Sequence, residues 1–183
     1  YLAQKRWQEA EEAFRQAMAA NAAEATGYIR LAVLQAAQGR PETALSWYQA
    51  ATKASPGLGW AYMALGTHLL AMGDAQGAET AFSQGISAQP TYADAYSTLA
   101  NYYEAQGRFD EALAQARKAV EAAPSSASAF IALGSQLRDR GRLAEAQSAF
   151  ENAVEVAPVE PTAYWALAGM YRLLGEPEQA LAQ

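Results

Sequence analysis

Proline at 56, 90, 124 and 158, glycine at 39, 73, 107, 141 and 175, and alanine at 10, 44, 78, 112, 146 and 180 all recur at an interval of 34 residues. A fixed period in this range marks one supersecondary unit stacked on copies of itself, and a unit of this length has room for two short helices and two turns. The period therefore predicts one continuous array over 1–183, where length alone would suggest one or two globular domains. With each proline placed at slot 32, complete units fall at 25–58, 59–92, 93–126 and 127–160. Partial units remain at 1–24, read as a second helix, and at 161–183.

Within the unit, slot 4 is aromatic (Tyr28, Tyr62, Tyr96, Phe130, Tyr164), slot 7 is leucine (Leu31, Leu65, Leu99, Leu133, Leu167) and slot 8 is small (Ala32, Gly66, Ala100, Gly134, Ala168). Slots 4, 7, 8 and 11 have the spacing of one apolar stripe on a helix, and the small slot lets a neighbouring helix approach. A second stripe runs through slots 17, 20, 24, 27 and 28, as in Phe109, Ala112, Ala116, Ala119 and Val120, then Leu143, Ala146, Phe150, Ala153 and Val154. Glycine at slot 15 is expected to end the first helix in a left-handed conformation. Acidic residues such as Glu42 and Asp110 suit the positive start of the second helix, and proline at slot 32 blocks its continuation. Hydrophobic residues make up 51%, with alanine dominant, which favours close-packed helices over a sheet of Val and Ile. The fold class is all-α.

A net charge of −6 gives no source for phosphate attraction, so nucleic acid is not an expected partner. The absence of cysteine excludes disulfides and thiolate metal sites and leaves the compartment open. Ala54 to Gly73 lacks Asp, Glu, Lys and Arg, but it contains Pro56, Gly57, Gly59, Gly66 and His68 and keeps the phase of the repeat, so membrane insertion is not expected. The chain opens on Tyr1 with no basic-then-apolar leader, and is expected to be a fragment of a longer array.

Residues 93–126 show the unit most fully, with Tyr96, Leu99, Ala100, Tyr103, Gly107, Ala112, Ala119 and Pro124 in place and Arg108, Phe109, Asp110, Glu111 and Ala112 at the turn. This pattern resembles the tetratricopeptide repeat, over essentially the whole chain. Gln35 departs from it at slot 11, Ala116 at slot 24 and Gly85 at slot 27, as do Lys5 and Ala22 in the opening partial unit. The resemblance implies a right-handed superhelical solenoid of antiparallel helix pairs whose first helices line a concave groove. It also implies a protein–protein interaction scaffold that binds an extended or helical peptide segment there, with no catalysis and no cofactor or metal.

In such a solenoid the groove face of each first helix is slots 2, 5, 6, 9, 12 and 13. The candidate binding residues are Ile29, Arg30, Val33, Trp60, Met63, Thr67 and Leu70, then Asn101, Ile131, Arg138, Trp165 and Arg172. Ile29, Val33, Trp60, Met63 and Leu70 form an apolar half suited to an apolar or aromatic peptide face, with Trp60 as anchor. For Ile29 and Val33 a second reading stands beside this one: burial against neighbouring first helices. Asn101, Arg138 and Arg172 could hold a carboxylate or a threaded backbone, or be solvated residues neutralised by Glu104 and Asp139. Only Arg30 and Asn101 match slots used by family members that clamp an acidic chaperone C-terminus. Slot 6, with Arg30, Ala64, Thr98, Ala132 and Ala166, lacks the asparagine ladder of members joined to sugar-nucleotide glycosyltransferases. The alternative function is a structural spacer or fibre subunit that self-associates end to end. The lone His68 reads as a packing residue, and the pairs Glu11 with Glu12 and Asp110 with Glu111 read as ordinary helix-surface charges rather than an acid and a base.

Overall fold

The computed structural model describes residues 6–21 and 24–182, so Lys5 and Ala22 lie outside the described residues. Every element among them is a helix: α1 (Trp7–Ala20), α2 (Ala25–Ala37), α3 (Pro41–Ala54), α4 (Gly59–Ala71), α5 (Ala75–Ala88), α6 (Ala93–Ala105), α7 (Phe109–Ala122), α8 (Ala127–Arg138), α9 (Leu143–Val156), α10 (Pro161–Leu174) and α11 (Pro177–Ala182). They fall into two units, Tyr1–Pro90 and Thr91–Gln183. In the first unit α2 pairs with α3 and α4 with α5, while α1 packs on α2 and α3 on α4. In the second the pairs are α6 with α7, α8 with α9 and α10 with α11, joined through α7 on α8 and α9 on α10.

Two backbone constraints set the helix ends. The slot-15 glycines Gly39, Gly73, Gly107, Gly141 and Gly175 all have φ between 71° and 85°, and a Cβ on any of them would meet nothing within 4 Å. The dihedral, not space, demands glycine. Each is followed by the same hydrogen bond back across the helix end, as in Arg40 N to Gln35 O at 3.0 Å and Arg108 N to Tyr103 O at 2.9 Å. Second helices α3, α5, α7 and α9 stop two residues before Pro56, Pro90, Pro124 and Pro158. There Ser55 Oγ accepts from Ala25 N and Gln89 Oε1 from Gly59 N, each at 3.2 Å, tying the end of a second helix to the start of its own first helix.

Small residues carry the packing. Ala44, Ala78, Ala112 and Ala146 at slot 20 are fully buried, as are the slot-24 rings of Phe82 and Phe150. Those rings lie against slot 8: a Cβ on Gly66 would fall 2.6 Å from Phe82 Cδ1, and one on Gly134 2.6 Å from Phe150 Cε1. Each buried ring contributes about 1.5–3 kcal/mol relative to exposure, provided the facing position stays small. Gly66→Ala and Gly134→Ala should therefore each lower unfolding free energy by about 1–3 kcal/mol. Gly57→Ala, which enters open space without a positive φ, should change it by less than about 0.5 kcal/mol. Urea denaturation of the three variants checks this.

Candidate functional site

The first-helix face of the first unit is built by α2 and α4. On it Val33 is 43% and Leu70 37% exposed. Arg30 and Thr67 are exposed and Trp60 is half-buried against the core. Arg30 has no ion-pair partner among the described residues, and Thr67 turns its hydroxyl back to donate to Met63 O at 2.9 Å. The slot assignment puts Ile29 and Met63 on the open face, but the structure buries both to 8% exposure. Ile29 joins the core cluster of Ala25, Ala32, Tyr48, Ala61 and Leu65, where α2 and α4 touch. Met63 extends its Cε into the space left by the missing side chain of Gly85 on α5. Packing has claimed slot 5 here, leaving slots 6, 9 and 12 open.

In the second unit Asn101, Arg138 and Arg172 are exposed, Ile131 is half-buried, and Trp165 is 73% exposed. Arg138 Nε donates to Asp139 Oδ1 at 2.9 Å, so its charge is met locally, whereas Arg172 has no ion-pair partner among the described residues. Glu104 serves a different group: it accepts from Gln136 Nε2. Gln136 is only 2% exposed and accepts from Arg140 Nη1 at 2.9 Å, and Arg140 Nη2 also donates to Phe109 O. This buried cluster was not among the sequence candidates, yet it left a trace. Slot 10 holds a hydrogen-bonding side chain in three consecutive units: His68, Tyr102 and Gln136.

His68 fits the same pattern. It is buried, its Nε2 lies 2.8 Å from Pro41 O, and its ring centroid is 4.9 Å from that of Tyr48, whose hydroxyl is pushed to higher pKa by burial. The imidazole joins one helix pair to the next. Glu111, of the turn acids, is held below the usual carboxylate range mainly by hydrogen bonds from Arg108, 2.6 Å each, the ordinary pairing of a helix start. Among the described residues no group of His, Asp or Glu could hold a metal ion, and no helix is long and apolar enough to cross a membrane.

Repeated helix pairs with alanine-glycine seams define a helical-repeat fold. The tetratricopeptide repeat family model matches residues 1–58, 63–127 and 131–183, and the chain belongs to that family. Its fold is generally a non-catalytic scaffold that mediates protein–protein interaction. Among solved structures the chain is similar to YrrB, a tetratricopeptide repeat protein with an unusual peptide-binding site, at 26% identity over 94% of this chain and 89% of that one, TM-score 0.59. It shares the fold of TTC0263, a thermophilic repeat protein of Thermus thermophilus, at 24% identity over 86% and 87%, TM-score 0.64. It also shares the fold of MamA from Desulfovibrio magneticus RS-1, at 23% identity over 86% and 89%, TM-score 0.62. No curated protein matches the chain.

If His68 is a packing group, His68→Ala should cost about 2 kcal/mol of stability through the lost ring contacts and hydrogen bond. Thermal and urea melts of the variant check this, with helical circular dichroism unchanged below the transition.

Proposed function

We propose that this protein is a scaffold that holds a peptide segment of another protein, extended or helical, against the α2–α4 face. The observation that carries this reading is the exposure of Val33 and Leu70 on adjacent first helices, with Trp60 half-buried at the start of α4. Large apolar side chains left exposed on neighbouring helices mark a surface for contact. Arg30, exposed and without an ion-pair partner among the described residues, suits an acidic group or carbonyl on the bound segment. The similarity to YrrB, a tetratricopeptide repeat protein with a peptide-binding site, supports the same class of partner.

A photo-crosslinking residue placed at Val33 or Leu70, and at Gln49 as control, tests the reading in native extract. Crosslinks to a defined partner from the first two positions and not from Gln49 are expected, with loss on Leu70→Asp in the Val33 probe. Equal crosslinking from all three positions would remove the claim.

Trp165 at 73% and Val159 at 93% exposure favour a second reading, self-association through the α10 end. Sedimentation velocity over a hundredfold concentration range separates the two. Steady growth in mass, suppressed by Trp165→Glu, supports stacking, and a constant monomer rejects it.

A further inference from the structure

The 25–58 repeat fills a cleft that the 127–160 repeat leaves open. Trp47 on α3 lies with its ring centroid 6.2 Å from that of Tyr28, packs against Leu31, and has the Arg15 guanidinium carbon 5.6 Å from its own ring centroid. The indole thus makes a tilted contact with one aromatic ring, at 46° between planes, is floored by a leucine and is roofed by a cation from the preceding second helix. Three repeats further on, the same slots are occupied by Phe130 for Tyr28, Leu133 for Leu31 and Arg117 for Arg15, but Ala149 stands in place of Trp47. Where the indole would lie, the structure has a cleft of about 240 Å³ between α7 and α9, lined by Arg117, Phe130, Leu133, Leu137, Ala149 and Asn152 among others.

The walls are suited to an aromatic occupant. Leu133, Leu137 and Ala149 belong to or pack on the core of this unit and give an apolar floor. Arg15 is held by Glu11 at 2.8 Å, whereas the equivalent of Glu11 is Leu113. Arg117 is exposed and has no ion-pair partner among the described residues. The acid at the rim, Glu145, is taken by Arg142 through two hydrogen bonds of 2.6 and 2.7 Å, so it does not neutralise Arg117. A guanidinium without an ion-pair partner among the described residues, beside a leucine-floored cleft rimmed by Glu145, Ser148 and Asn152, favours a π face over an aliphatic group of equal size, and Phe130 adds a ring–ring contact.

We infer that the cleft between α7 and α9 is a socket for an aromatic side chain on a peptide of a partner protein, packed against Phe130 beneath Arg117 as Trp47 packs in tilted contact with Tyr28. This site lies on the second-helix side of its unit and is separate from the α2–α4 face.

Amide NMR titration of the whole chain with acetyl-Gly-Trp-Gly-amide and acetyl-Gly-Leu-Gly-amide tests it. Saturable shifts at the amides of 130–137 and 145–152 are expected with the tryptophan peptide, and shifts at least about threefold weaker in affinity with the leucine peptide. Ala149→Trp, which restores the indole in cis, should abolish the response; Ala149→Leu serves if that variant fails to fold. Arg117→Gln should weaken binding about two- to fivefold. Equal affinity for both peptides, no saturation at these amides, or an unchanged response in the filled variants would overturn the proposal. So would shifts at these amides that follow protein concentration without peptide, since they would assign the cleft to a second copy.

Discussion

In the 59–92 and 127–160 repeats, a ring at slot 24 packed against a glycine at slot 8 sets how closely the first and second helices approach. Phe82 against Gly66 and Phe150 against Gly134 bring first and second helices closer than any β-carbon on the glycine would allow, and the buried alanines at slot 20 keep the rest of the seam equally thin. Because dispersion falls steeply with distance, the seam holds only while both partners keep their size. With the seam closed on itself, what each unit offers to other molecules is set by the slots left over.

Those leftover slots are not equivalent from unit to unit, and here legibility in the sequence ended. Helix ends were readable because slot 15 and slot 32 act through the local backbone: a positive φ at Gly107 or a missing donor at Pro124 needs no knowledge of neighbours. Slot 5 is different. Met63 is buried because Gly85, on another helix, leaves room for its methyl group, while Trp165 at the same slot is 73% exposed. Nothing within five residues of Met63 announces this. The open face was thus half legible: slots 9 and 12 with Val33 and Leu70 stay exposed, whereas Ile29 and Met63 went to the core.

The polar cluster around Gln136 follows the same logic. Gln136, at slot 10 beside the apolar stripe, is buried where two side chains meet it: Glu104 accepts from it, and Arg140 donates to it while reaching Phe109 O. Such groups are costly to bury alone, and Arg140 Nε remains buried without a partner, so the cluster is only partly satisfied. Repetition also made comparison within one chain informative. Arg15, Tyr28 and Trp47 on one side, and Arg117, Phe130 and Ala149 on the other, differ at the one position that decides whether a cleft is filled.

A double-mutant cycle on Gly66 and Phe82 tests the ring-against-glycine seam most directly. If the two side chains share one volume, Phe82→Leu should absorb much of the cost of Gly66→Ala, giving a coupling free energy of about 1 kcal/mol or more. Strict additivity of the two substitutions within about 0.3 kcal/mol would show that the seam is not what sets the helix spacing.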